Sequence, residues 1–335
     1  MTNELAWFKL LHVKGLGAKS LLMLYKSISQ NSLDVPDIFE MNENHFYNIF
    51  NEFGKGKFSR VRFENFKDLD KDKIFENYIK LKDRDIKIIP LNDELYPKSV
   101  KKKLKSNSPP ILFCKGHLPL LHSLNISIVG SRNIDGFSLM LTKELSKNLS
   151  NLGYNIVSGY AKGVDTNAHI GALEGNGTTT VILSLGINNL SIKKDFKPFD
   201  WENNTLFISQ FLPFQKWSGR NAMARNKIVC ALSDAVIVIA SGPEKDVKGR
   251  MSGTFDAAKS AMNMNIPVFV LSPSVIGGAP IGNEQLIRLG GTEFSNGAEL
   301  IKYLKNPNEA KKNNTPAQLT MFQQLGTTLH KQRNI

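Results

Sequence analysis

"ISIVGSRNIDG" (126–136) decides the fold. Its first five residues are almost wholly apolar and stop on Gly130, and a polar turn then leads into an amphipathic stretch over 137–152. An apolar run that ends on glycine and is followed by helical periodicity reads as a buried strand feeding a helix. The unit recurs downstream. "YNIVSG" (154–159) precedes a helix at 165–175, and "TTVILSLG" (179–186), "LFISQF" (206–211), "AVIVIA" (235–240) and "PVFVLS" (267–272) are further strands, with helices at 220–232 and 254–264. Near-continuous Val/Ile runs, rather than strict alternation, indicate strands covered on both faces. The fold class expected is therefore α/β: an extended Rossmann-like, mostly parallel sheet with helices on both faces.

Upstream, "DIKIIPL" (85–91) and the proline-bounded "SPPILFCKG" (108–116) read as strands on either side of the lysine-rich "YPKSVKKKLK" (96–105). Residues 31–82 continue as polar helical segments. Within them "FGKGKFSRVRF" (53–63) interleaves Phe53, Phe58 and Phe63 with Lys55, Lys57, Arg60 and Arg62. Such a stretch either stacks bases or is a loop pinned into a small core by its aromatics, and the second reading is preferred. Residues 4–30 read as two short helices around "VKGLGAKS" (13–20). Gly15 and Gly17 tolerate a tight turn, and the amides opening the second helix attract phosphate, with Lys14 and Lys19 adding charge. This segment resembles the helix-hairpin-helix module of sequence-independent DNA binders, with an ordinary helical hairpin as the alternative. The expected domains are a small helical (helix-hairpin-helix/SAM-like) domain over 1–82, a Rossmann-like domain over 83–305 and a flexible tail over 306–335.

The chain has 335 residues, of which 41% are hydrophobic and 22% charged, an ordinary globular balance. Its 43 Lys+Arg against 30 Asp+Glu leave a formal net charge of +13, which favours a polyanionic partner. Cys114 and Cys230 lie in apolar runs and read as small buried hydrophobes, not as a disulfide or metal site. The histidines show no metal-ligand spacing, so neither metal nor cofactor is expected. The N-terminus lacks a basic region followed by an apolar one, and no run approaches the ~18 apolar residues of a membrane span. A cytoplasmic protein with no membrane partner is expected.

In a doubly wound sheet, ligands sit where strand ends meet helix N-termini. After the first strand Gly130 permits close backbone approach, Ser131 offers a hydroxyl and Arg132 a planar fork of donors for phosphate. The GxGxxG dinucleotide fingerprint is absent. "SGYAKGVDTNAH" (158–169) supplies Ser158, Gly159, Lys162 and Gly163, with Asp165 expected as a helix N-cap and in contact with His169 one turn later. "RNAMARNKIV" (220–229) adds Arg220, Arg225 and Lys227, and "GRMSGTFDAAKSA" (249–261) opens a helix with Ser252, Gly253 and Thr254. Four strand-end loops carry glycine, hydroxyl and cationic groups, and no nucleophile–base pair accompanies them. That set describes binding; an enzyme is not expected.

"IVGSR", "IVSGYAKGVDTNAH", "RNKIVCALSDAVIVIA" and the "SGT" before an Ala-rich helix occur in the order and spacing of the bacterial DNA-processing protein A (DprA/Smf) family, which 85–300 resembles. The resemblance implies an extended Rossmann fold that binds single-stranded DNA in a basic pocket, forms homodimers and helps load RecA recombinase during DNA uptake and natural transformation. It maps phosphate binding onto Gly130, Ser131, Arg132, Ser158, Gly159, Arg225, Asn226 and Lys227. The chain departs from the pattern at Ala222 and Met223, where the family has an aromatic-proline pair, and at Lys227, where it has arginine. The loop after "LSLG" lacks the family's Tyr-Pro turn, 242–251 looks like an insertion, and no C-terminal winged helix is expected. In the tail, "QLTMF" (318–322) resembles peptides that dock into the bacterial sliding clamp, with Leu319, Met321 and Phe322 filling apolar pockets and Gln318 fixing orientation. The competing expectation is a nucleotide sensor or a phosphoribohydrolase-like enzyme of the same superfamily, with Asp256 as its acid.

Overall fold

Alternate residues of β3 (Asn125–Val129) serve two different layers, and this splits the core in two. Ile126 and Ile128 pack with Leu145 and Leu149 of the helix Gly136–Asn151 and with Val164 and Ala168 of the helix Val164–Glu174. Val129 faces the opposite layer, which holds Ile228 of the helix Gly219–Leu232 and Ala257 of the helix Gly253–Asn263. All five residues of β3 are buried, so the strand shows no polar alternation; its one serine, Ser127, donates to Val229 O at 3.0 Å. The structure, a computed structural model, describes residues 1–276 and 280–306. The clamp-like residues Gln318, Leu319, Met321 and Phe322 lie outside the described residues, as does nearly all of 306–335.

The remaining strands are β1 (Lys87–Pro90), β2 (Ile111–Gly116), β4 (Asn155–Ser158), β5 (Thr179–Ile182), β6 (Thr205–Ser209), β7 (Ala235–Val238), β8 (Val268–Leu271) and β9 (Thr292–Phe294). They form one nine-stranded sheet in the order β1-β2-β6-β5-β4-β3-β7-β8-β9. From β6 to β9 every pairing is parallel, whereas β1–β2 and β2–β6 are antiparallel. The Rossmann-like α/β class read from the sequence is the observed one. Several short elements escaped that reading, among them the three-residue β9 and the helices Lys98–Leu104, Trp201–Asn204, Ile281–Arg288 and Gly297–Lys305. From β3 the chain builds outward through β4, β5 and β6, then crosses through the helix Gly219–Leu232 to β7 on the other side of β3. The reversal lies between β3 and β7, and a crevice at their carboxyl ends is where such a sheet binds its ligand.

The N-terminal helices share one apolar core with the sheet layer of Val129. Phe8, in the helix Asn3–Leu10, meets Phe113 of β2 edge-on at 6.2 Å, and Glu4 pairs with Lys82 at 2.9 Å. The aromatics of 53–63 are structural, as preferred above: Phe53 and Phe58 stack at 5.3 Å and Phe63 packs on Phe46 at 5.6 Å. Cys114 and Cys230 are both buried and free. No helix among the described residues is long and apolar enough to cross a membrane, and no group of three or more potential metal ligands occurs among them.

Candidate nucleic-acid interface

A cleft of about 730 Å³ opens at the reversal between β3 and β7. Its walls are the turn 130–133 after β3 and the starts of the helices Gly219–Leu232 and Gly253–Asn263. Both helices are capped by serines, Ser218 accepting from Asn221 N at 3.1 Å and Ser252 from Phe255 N at 3.4 Å. Two positive helix ends therefore face one space, which favours an anion there.

Arg225 forms the floor. It is 6% exposed, and its Nη1 lies 3.6 Å from Asp165 Oδ2, longer than a hydrogen bond. Its Nε–H is buried with no hydrogen-bond partner among the described residues. Burial lowers the pKa of this guanidinium, Asp165 opposes the shift, and the neighbouring Arg132 adds to it by repulsion. An arginine nevertheless stays charged at neutral pH. Arg132 is exposed and has no ion pair among the described residues. Two neighbouring guanidinium groups thus have one carboxylate between them, paired with Arg225 alone, and the excess positive charge favours an anionic ligand. Gly159 makes this possible from behind: a Cβ there would stand 1.6 Å from Arg225 Nη1 and 2.3 Å from Asp165 Oδ2.

Of the residues predicted from the sequence, Gly130, Ser131, Arg132, Arg225, Asn226, Ser252, Gly253 and Thr254 line the cleft together. Their roles differ from expectation in places. Gly130 is required less by a ligand than by the fold, since a Cβ would meet Val164 Cγ2 at 2.5 Å. Ser131 turns its hydroxyl onto Asn133 O at 2.8 Å, and Asn226 Nδ2 binds Gly253 O at 2.9 Å, tying the two helix starts. Ser158 does not reach the cleft; it is fully buried and donates to Ile128 O at 2.6 Å, joining β4 to β3. Lys162 and Lys227 are exposed outside the lining, Lys227 acting instead on Asp256.

Asp165 is not the N-cap, which is Gly163; it sits in the first turn and turns toward Arg225. Nor does His169 bond to it. The ring of His169 spans Gly159 O at 2.5 Å and Thr179 Oγ1 at 2.6 Å. Burial lowers its pKa to about 3, with Lys193 and Arg225 adding to the shift and the Gly159 carbonyl opposing it. The ring is neutral at physiological pH, so Nε2–H donates to Gly159 O and Nδ1 is the unprotonated nitrogen, competing with Ile156 O at 2.7 Å for the single hydroxyl proton of Thr179. Asp256, the acid of the enzymatic alternative, is half-buried outside the cleft lining, and burial raises its pKa.

Sequence reading missed Trp217, Arg250 and Asn133, all of which line the cleft. Trp217 is 54% exposed and stands just before the helix start. Arg250 comes from the segment 242–251, held there by Asp246 at 2.7 Å. A lone aromatic in a loop and an arginine in an insertion carry no motif, which is why neither stood out. Gly15 and Gly17 do sit in the turn between the helices Asn3–Leu10 and Ala18–Gln30, with Gly15 at φ +82° and Gly17 as N-cap, and Lys19 stands in the first turn of the second helix. That turn is outside the cleft.

The family model for DNA recombination-mediator protein A matches residues 87–305, more than half of the chain. DNA processing protein DprA of Streptococcus pneumoniae is 30% identical over 196 residues, covering 58% of this chain and 67% of that protein. The X-ray structure of DNA processing protein A from S. pneumoniae superposes with a TM-score of 0.72 at 24% identity, covering 90% of this chain and 98% of that one, a likeness of fold. A structure of DNA processing protein A from Helicobacter pylori, described as giving that protein's single-stranded DNA binding mode, matches with a TM-score of 0.55 at 27% identity over 66% of this chain and 96% of that one. With its match spanning both the turn after β3 that carries Arg132 and the helix that carries Arg225, this chain belongs to the DNA recombination-mediator protein A family.

Proposed function

We propose that this chain binds the phosphate backbone of single-stranded DNA in the cleft between β3 and β7, as a recombination accessory protein without catalytic chemistry of its own. The observation that carries the reading is Arg225, a buried cation with an unpartnered Nε–H beside the exposed Arg132 at the floor of an open cleft. A buried guanidinium keeps an unpaired donor at a cost of about 1–3 kcal/mol, and a phosphate oxygen removes that cost. Family membership and the +13 net charge support the same ligand. In this reading Gly130, Ser131, Arg132, Asn226, Ser252, Gly253 and Thr254 serve the strand directly, while Gly159 makes room for Arg225 and Ser158 ties β4 to β3 beneath the site.

Salt-titrated fluorescence anisotropy with single-stranded DNA, duplex DNA and mononucleotides tests it. The single strand is expected to bind best, with affinity falling steeply as salt rises. Arg132→Ala should weaken every sequence equally without lowering stability; unchanged affinity in that variant refutes the site. Tight mononucleotide binding with release of free base would instead favour a phosphoribohydrolase-like enzyme. We extend the reading, by likeness to the family, to a cytoplasmic homodimer that helps RecA-type recombinase onto the bound strand. Sedimentation of the free protein and RecA filament nucleation on pre-bound DNA check these two partners, and a monomer or an unchanged nucleation rate removes them.

A further inference from the structure

Two small grooves flank the loop that follows β6, and that loop leads on into the cleft. One, of about 170 Å³, runs between Leu16, Ala18 and Leu21 on the helical side and Phe211, Leu212 and Gln215 on the loop side. The other, of about 330 Å³, is lined by Phe8, His12, Asn77 and the loop residues Leu212 to Gln215. The grooves share Leu212 and Gln215, and two residues past Gln215 the same loop places Trp217 in the cleft.

This loop shows apolar groups to solvent while being firmly held. Leu212 is 40%, Phe214 43% and Trp217 54% exposed. Yet Pro213 O accepts from Asn188 N at 2.9 Å, Gln215 O accepts from Gly186 N at 2.7 Å, and Gln215 Nε2 donates to the buried Asn221 at 3.2 Å. Asn221 also donates to Lys216 O at 3.3 Å. A loop whose backbone is held while its apolar side chains face solvent forms a platform that loses little backbone entropy on binding. Exposed Lys216 and Arg220 beside them, and Lys14 and Lys19 beyond the nearer groove, give the path positive charge.

We infer that single-stranded DNA seated in the cleft continues over this loop, stacking a base on Phe214 and running toward the helical turn at Gly17–Lys19. The inference rests on the cleft reading and extends it to a second subsite with its own residues. Aromatic stacking combined with phosphate-tracking cations is the chemistry by which single strands are held without sequence preference. It also gives the helical turn a place on the same ligand.

The test compares oligonucleotides of about 6 and about 20 nucleotides on the full chain, in wild type and in Phe214→Ala/Lys216→Ala. Both side chains are exposed, so thermal melting of the variant should match wild type. The variant is expected to bind the short oligonucleotide as wild type does and the long one about tenfold more weakly. Its salt slope on the long strand should fall by about 0.7, one phosphate contact. Equal affinity for both lengths overturns the path, and so does an equal loss on both, because the loop would then act on the cleft itself. If Arg132→Ala leaves short-strand binding unchanged, it is the cleft reading that fails.

Discussion

Arg225→Met, alone and with Asp165→Asn, separates a scaffold arginine from a ligand-binding one. At 3.6 Å and an effective dielectric constant of about 20, Coulomb's law gives the Arg225–Asp165 pair roughly 4–5 kcal/mol of attraction. Both side chains are buried, 7% and 8% exposed, and each ion forfeits several kcal/mol of hydration. Their contact is too long for a hydrogen bond and Nε has no partner, so the pair adds little net stability. Arg225→Met alone should still cost about 3–5 kcal/mol, because Asp165 is left buried and unpaired. Adding Asp165→Asn removes that stranded charge, and an asparagine oxygen can keep accepting from Ala161 N. The double variant should return to within about 1 kcal/mol of wild type in urea unfolding. Its affinity for single-stranded DNA should nonetheless be about ten- to a hundredfold lower, the worth of a charged hydrogen bond. A stable double variant that binds DNA with wild-type affinity would refute the reasoning.

Gly159→Ala should produce a similar binding defect by another route. Its Cβ falls 1.6 Å from Arg225 Nη1, so the guanidinium must leave its place; anisotropy and unfolding should both show losses, and a variant with intact binding would mean that the arginine's position does not matter. His169 has a folded pKa of about 3, well under the ordinary 6.5, so the unfolded chain binds the proton first. Stability is then full above pH 6.5 and declines below it by about 1.4 kcal/mol per unit at most. His169→Gln should flatten that decline between pH 6.5 and 4.5, and parallel urea-midpoint curves for the two proteins would exclude it. For the tail, a peptide covering 312–326 should bind a bacterial sliding clamp and lose that binding on Leu319→Ala/Phe322→Ala; equal binding by both peptides would assign the apolar residues no such role.

What could be read from the sequence is what depends on short-range pattern. β3 and β4 are legible because every residue between their flanking turns is buried, so branched apolar residues crowd together with only small polar ones between them. β9 is not, since three residues with an exposed glutamate in the middle carry no period. The same division runs through the site. Arg132 announces itself by following a strand-ending glycine, whereas Trp217 and Arg250 enter the cleft only because the crossover to β7 and the segment 242–251 fold back over it. The residues read as one phosphate-binding set fall into two jobs that look identical in sequence. Ser158 and Gly159 are small for the sake of packing, one bridging strands and the other making room for a guanidinium. Arg225 shows why the distinction matters: its guanidinium sits against Gly159, is restrained by Asp165 beside it and keeps a buried Nε–H without a partner. A structural arginine would have been given partners for all its donors. One left partly unpaired at the base of a cleft, next to the exposed Arg132, is what the proposed phosphate ligand would complete by bringing the missing acceptors.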